Sequence, residues 1–469
     1  MKAVPESVVS RVPEVGTDGA AWAASIAYAG ELEEGLARAR RERGWTFIAL
    51  PAPIVAAPAL VVAARTLPLV AWSSRALTLV GIGAAYELRG CGEQRWRELV
   101  AAARRIEMSA VIGNQDNAAL VRPRLLGGLA FAPGAADRGP WTGFGDAWFV
   151  LPRWTYVHDG LRAALVLAVD ARDAQLVSRW HEELATLRHA LASSFVAKPQ
   201  PALVAVDSGD RDAWRAQVRA ITDAIGRGEC AKIVAARSTV VTLAAEARVA
   251  DMFAELDARH SDCVRVLVKP PGGGALIAAT PERLVALQDS QVACDALAGS
   301  LARSGDVATL LASGKDRREH ELVVRAIASA LRELGADVTA PDEPGVRMLR
   351  HVMHLHTPIA ARLRERRHLL ELAAALHPTP AVGGTPTRLA TDWITQHEPP
   401  RGWYAAPVGW FDLDGNGELA VAIRSGLLAG ARAHLWAGAG IVAGSDPNRE
   451  LAETDMKLRA MLSALGVST

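Results

Sequence analysis

The sequence predicts an α+β fold built on antiparallel sheets, and three observations carry that reading. Runs of strand-forming residues recur through both halves, with helical stretches interspersed. They show no regular strand–helix–strand rhythm, which a parallel sheet would require. Neither glycine pattern that invites a dinucleotide-binding unit completes one. Gly81-Ile-Gly83-Ala-Ala-Tyr86 lacks the third small residue, and Gly438-Ala-Gly440-Ile-Val-Ala443 lies too near the end of the chain.

Residues 20–43 and 93–107 have helical patterning, the second with an apolar stripe between charged flanks. The runs LPLVAW and ALTLVGIG between them read as strands. Phe47 to Ala64 is 18 residues without a charge, but Pro51, Pro53 and Pro58 make it a poor membrane span. It reads as a buried strand, a proline turn and the start of another element. Strands follow at AWFVLPRWTYVHD and AALVLAVDA, then a helix over 172–193. The stretch AKPQPALVAVDSGD (197–210) reads as a connection and divides the chain into residues 1–200 and 201–469.

The second half opens with a helix over 211–226, capped by Asp210, with Trp214, Val218, Ile221 and Ile225 on one face. The strands KIVAARSTVV, RVLVKP, GGALIAA, LVAL and QVACDALAG come next. Helices at 316–334 and 367–376 are followed by strands PVGWFDL, ELAVAIRSGLL and AHLWAGAGIVAG. A last helix runs from Pro447 to Leu465.

Composition narrows the function. With 469 residues, 50% hydrophobic and 22% charged, the chain has enough apolar sequence for a large core. Lys+Arg 52 against Asp+Glu 51 gives +1, which argues against a nucleic-acid partner. Cys91, Cys230, Cys263 and Cys294 form no CxxC, so neither a disulfide scaffold nor a zinc ribbon is expected. With no apolar leader in MKAVPESVVSRVPEV, a cytoplasmic protein with no membrane partner is expected. Only six of the 52 cations are lysines, and three of them, Lys232, Lys315 and Lys457, fall in the motifs below. Codon bias explains some of that imbalance. An amine base, however, cannot be replaced by arginine, which does not lose its proton.

Several residues carry chemistry. Asp316, Glu319 and His320 fall on the same helical face as Val323, Ile327, Ala330 and Leu334, so the acids point inward. Glu450, Glu453 and Lys457 stand at i, i+3 and i+7 beside the apolar side of the last helix. Buried carboxylates need a cation. Two such helix starts suit a hard-oxygen Mg²⁺ site, although acids also favour first turns for the helix dipole alone. Lys232 begins an apolar strand and is either a desolvated base or a lysine whose amine reaches solvent. Glu282, between two strands, is either a general acid or a turn residue. Gly438 and Gly440 mark a close backbone approach to a ligand or a kinked strand. The triplet His351, His354 and His356 has no zinc-spaced partner and reads as structural or substrate-facing.

Taken together, KIVAAR, TPERLV, ALAGS, KDRREHELVV, HLHTPI, LHPTPAVGGTP, RGWYAAPVGWFDLDGNGELAVAIRS and AGAGIVAGSDPNRELAETDMK resemble the chorismate-utilising enzymes. This family includes the isochorismate, salicylate, anthranilate and aminodeoxychorismate synthases. The pieces span 228–462 in family order, and LHPTPAVGGTP with RGWY and GNGELAVAIRS is most similar to the isochorismate synthases. The resemblance implies a large layered antiparallel β-sandwich with helices outside and a central cleft, the division near 200 being a seam within one unit. It implies chorismate as substrate, with water attacking ring C2 as the C4 hydroxyl leaves.

On the same grounds Lys232 corresponds to the base and Glu282 to the acid. Glu319 and Glu453 correspond to Mg²⁺ ligands, with Glu450 and Asp316 near the ion through water. Tyr404 and Arg424 match contacts to the enolpyruvyl carboxylate, and Gly299, Ser300, His354, Gly438, Gly440 and Lys457 match the pocket lining. Ala406 stands where the family has Gly. Ser300 is often Thr in members that go on to eliminate pyruvate, which favours stopping at isochorismate. A salicylate synthase and a catalytically silent chorismate binder are the alternatives. A monomer is expected from the family only.

Overall fold

The computed structural model describes residues 27–64, 67–106, 108–113, 119–136 and 139–467. Among them, strand pairing is antiparallel throughout, except where Trp45–Pro51 runs parallel to Met108–Gly113. Two arms of sheet grow from the long pair Thr78–Gly90 and Ala147–His158. One arm continues through Leu69–Ser73, Val264–Lys269, Ala275–Thr280, Ser425–Ala429 and Arg432–Ile441 to Lys232–Leu243. The other continues through Arg124–Leu129, Pro407–Asp412, Gly417–Val421, Arg283–Gln288 and Gln291–Ala302 to Val352–Leu363.

Both faces of the first arm are covered, which explains its near-continuous apolar strands. Val266 and Val268 face one core cluster with Leu276 and Ala278, while Leu267 faces a second with Ile277 and Ala279. The first cluster fills the space between the arms. The second lies under helices Ala27–Ala39, Ala57–Ala63, Val177–Ala192, Val249–Arg259 and Pro447–Ala464. Strands from before and after residue 200 pair directly, Leu69–Ser73 with Val264–Lys269 and Arg124–Leu129 with Pro407–Asp412.

The helix expected over 20–43 is Ala27–Ala39, with its first seven expected positions outside the described residues. Asp210 accepts from the backbone N–H groups of Asp212 and Ala213, the cap the sequence predicts. The expected connection at 197–210 contains an exposed edge strand, Leu203–Asp207, paired to Lys232–Leu243. Three helices escaped the sequence patterning, one of them the short Val307–Ala312, which buries only Leu310. Val249–Arg259 buries only Met252, Phe253 and Leu256, and Thr387–His397 only Ala390 and Ile394, stripes too sparse to read locally.

Candidate active site

The chain crosses between the two arms twice at one place. Thr280-Pro281-Glu282 leads from Ala275–Thr280 to Arg283–Gln288, and Ala422-Ile423-Arg424 leads from Gly417–Val421 to Ser425–Ala429. The crossovers hold each other: Val421 donates to the Glu282 carbonyl at 3.0 Å and Ala279 to the Arg424 carbonyl at 3.0 Å. Glu282 and Arg424 are thereby fixed on the wall of one cavity of about 680 Å³, counted to its open mouth. Arg424 has φ +49 and Ala405, also on the wall, φ +59. Left-handed backbone in residues with a Cβ is strain of the sort that gathers at functional sites.

Of the residues named from sequence, Glu282, Gly299, Ser300, Glu319, His354, Tyr404, Arg424, Gly438, Gly440 and Lys457 line this cavity. Lys232, Asp316, Glu450 and Glu453 lie just behind the lining, each against one of its residues or against another member of the same cluster. Lys232 is fully buried, with Nζ 2.9 Å from Glu319 Oε1. That distance gives charge pairing, but no well-formed hydrogen bond satisfies the amine. A buried amine with unused hydrogen-bonding capacity is costly unless something else meets it. Gly440 makes this packing possible: a Cβ there would stand 2.2 Å from Glu319 Oε1 and 2.8 Å from Lys232 Cε. The close approach expected of this glycine is thus made to the Lys232–Glu319 pair.

Glu282 is 4% exposed. Burial pushes its carboxyl up to about 8, with Lys232 opposing and Asp295 adding to the rise. It therefore carries its proton at neutral pH, as a proton donor must.

The acids gather as the helix stripes predict. Ser313 caps Gly314–Glu333 and Asp446 caps Pro447–Ala464, and the first turns of the two helices meet through Lys315 and Glu450. Lys315 Nζ lies 2.6 Å from Glu450 Oε1, and Lys457 Nζ 2.5 Å from Glu453 Oε1. Burial raises the pKa of Glu450, as does Glu453, against the pull of Lys315. Burial likewise raises that of Asp316, with Glu319 adding. Burial acts to raise Glu453 too, but Lys457 outweighs it and holds the group below the usual carboxylate range.

Four carboxylates thus face three lysines. An all-oxygen donor set is the kind that suits a hard divalent cation keeping some of its waters. Among the described residues, the one group of three metal-type donors gathered within 4.8 Å lies elsewhere, at His260, Asp262 and Cys263. His351 and the guanidiniums of Arg350 and Arg424 surround that group and disfavour a cation there.

At the other end of the cavity, an Arg424 Nη donates to His354 Nε2 at 3.0 Å. Arginine only donates, so Nε2 accepts and the proton of this ring is on Nδ1, directed at the Gly299 carbonyl at 3.2 Å. Burial, then Arg424, keeps this imidazole neutral. Both ring nitrogens are therefore spent on the protein, and His354 orients Arg424. Gly299, at φ +71, is the bulge that sets Ser300 opposite His354. His356 pairs with Asp295 at 2.8 Å, away from the cavity, and His351 precedes the strand. Tyr404 stacks on Trp436 with ring centroids 6.0 Å apart, and burial pushes its hydroxyl up to about 12. The residue standing where the family has Gly, Ala406, is buried in the core. The left-handed position is its neighbour Ala405. Arg401 and Trp436 also line the cavity and were not singled out from sequence. Arg401 lies in a quoted motif, so the signal was present without a role.

A cleft between two sheet arms, walled by a protonated acid and a fixed guanidinium with a buried amine just behind the wall, defines a small-molecule enzyme site. The pattern of the chorismate binding enzyme family matches residues 64–466, and the chain belongs to that family. It is 37% identical over 413 residues to the salicylate biosynthesis isochorismate synthase of Pseudomonas aeruginosa, covering 86% of this chain and 85% of that protein. It is 34% identical to the isochorismate synthase MenF of Bacillus subtilis, covering 83% and 86%. Among solved structures, the menaquinone-specific isochorismate synthase MenF of Escherichia coli superposes with a TM-score of 0.75 at 27% identity, covering 93% of this chain and all of that one. Anthranilate synthase component I of Streptococcus pneumoniae shares the fold, with a TM-score of 0.65 at 19% identity, covering 82% and 92%. Among the described residues no helix is long and apolar enough to cross a membrane.

Proposed function

We propose that this protein is an isochorismate synthase, an isomerase that interconverts chorismate and isochorismate. The observation that carries the reading is the presence, at one cavity, of a lining carboxyl protonated at neutral pH and, behind the lining, a buried amine with no well-formed hydrogen bond. Lys232 takes a proton from water as its oxygen bonds to ring C2. The ring double bonds shift, the C4–O bond breaks, and Glu282 protonates the departing hydroxide. One water enters and one leaves, so the reaction is a net isomerisation.

Arg424 uses one guanidinium nitrogen on His354 and, among the described residues, keeps the others for the enolpyruvyl carboxylate, with Tyr404 beside it. Glu319 and Glu453 would hold Mg²⁺, with Glu450 and Asp316 close by through water. When bound, the ion neutralises the ring carboxylate. Relatives are named for menaquinone and for salicylate. We place the product in menaquinone or siderophore biosynthesis, the consuming enzyme setting the branch.

The test is proton NMR of chorismate with the purified protein and Mg²⁺, run beside a pyruvate assay. Isochorismate accumulating toward equilibrium without pyruvate is expected. Pyruvate with salicylate would make the protein the bifunctional lyase, and no turnover would make it a silent binder.

A further inference from the structure

Arg401 is 3% exposed and anchored on three sides. Its Nε donates to Glu398 Oε2 at 2.8 Å, one Nη to the Val382 carbonyl at 2.9 Å and the other to the Val234 carbonyl at 2.7 Å. Glu398, with a side chain 3% exposed, accepts through Oε1 from the Ala236 N–H at 2.9 Å and from Gln217 at 3.1 Å. The Arg401 guanidinium also covers the Phe131 ring at 4.6 Å, and Phe131 donates its own N–H to the Gly402 carbonyl.

The ion pair therefore grips residues 234 and 236 of the strand that begins with Lys232. It ties them to the loop holding Ala381 and Val382 on the cavity wall. Along one edge the strand end pairs with Gly438–Ile441. Along the other it has the two-residue pairing of Lys232 and Ile233 with Thr385 and Gly384, and Val234 donating to the Gly383 carbonyl, so Arg401 and Glu398 secure the edge where the ladder is shortest. Because strand side chains alternate, the Val234 backbone sets where the Lys232 side chain, two residues earlier on the same face, meets the cavity. Four of the five guanidinium N–H groups have protein or ion-pair acceptors, so Arg401 is a cross-link whose planar fork a lysine cannot reproduce.

We propose that Arg401, with Glu398 as its counter-ion, is a positioning residue for the Lys232 amine. It sets the rate of the chemical step and leaves substrate affinity alone. The inference rests on Lys232 being the base. In Arg401→Lys and Glu398→Gln, kcat should fall at least tenfold in the first and less in the second. KM for chorismate should stay within twofold of wild type.

Circular dichroism and thermal midpoint keep a folding defect distinct, and rates are expressed per folded protein. Glu398→Gln retains the amide and Gln217 contacts if Arg401→Lys folds poorly. A raised KM at unchanged kcat would make Arg401 a substrate contact and overturn the proposal. So would a loss that vanishes after correction for the unfolded fraction. Normal turnover in Lys232→Ala would instead remove the base assignment, whereas a dead Lys232→Ala beside a fully active Arg401→Lys would refute this inference alone.

Discussion

Replacing Glu282 by Gln removes the proton donor and keeps the volume of the side chain. With the carboxyl pushed up to about 8, roughly nine in ten molecules carry the proton at pH 7. Activity that depends on it should be flat below about pH 8 and fall above, because the donor is lost as pH rises through that value. A positioned general acid is worth about 10²–10⁴-fold, so kcat should drop by that factor and the alkaline limb should vanish.

Stability supplies a second readout. The folded pKa lies above the unfolded value of 4.5, so the native state holds the extra proton between these values and loses stability as pH rises through them. The slope for one full proton is about 1.4 kcal/mol per pH unit, and Glu282→Gln should abolish that share of it. Denaturant titrations at a series of pH values measure it, beside pH–rate profiles for isochorismate formation. A variant that keeps wild-type kcat and its alkaline limb would refute the assignment of Glu282 as the acid.

Adding a methyl group at Gly440 should separate Lys232 from Glu319, because the Cβ would stand 2.2 Å from the carboxylate oxygen. Gly440→Ala should lose most of its turnover and about 1–3 kcal/mol of stability, read by kcat and by denaturant midpoint. Excess EDTA should abolish activity and added Mg²⁺ restore it; undiminished turnover in EDTA would remove the ion from the account. Asp210→Ala deletes a cap remote from the cavity, so it should cost about 0.5–2 kcal/mol in thermal or denaturant unfolding while kcat stays unchanged.

The sequence was most informative where a local period meets burial. In the stripe that opens with Asp316, Glu319 is buried as the 3.6-residue spacing requires while Asp316 is half-buried, and Glu450 in the last helix is buried too, the two glutamates with exposures of 9% and 1%. The lysines that stood out among so many arginines, Lys232, Lys315 and Lys457, each pair with one of these acids.

What local pattern could not show depends on contacts distant along the chain. The paired crossovers that bring Glu282 and Arg424 to one cavity join residues about 140 apart. His354 reads as a pocket residue, yet its nitrogens are consumed by Gly299 and Arg424, partners that only strand register brings near. Arg401 was visible as a motif letter, but its role lies in two backbone carbonyls, which carry no sequence signal. The strand Leu203–Asp207 was missed because it is an exposed edge, where alternation of burial gives no pattern.

The most direct test of the account is the origin of the product hydroxyl. Chorismate is converted in ¹⁸O-labelled water with Mg²⁺ and the wild-type protein, and isochorismate is analysed by mass spectrometry at low conversion. Attack of water at C2 with loss of the C4 hydroxyl predicts one solvent oxygen in every isochorismate formed, and no such product from Lys232→Ala. Isochorismate with an unlabelled hydroxyl would mean migration of the original group, and would contradict the roles given to both Lys232 and Glu282.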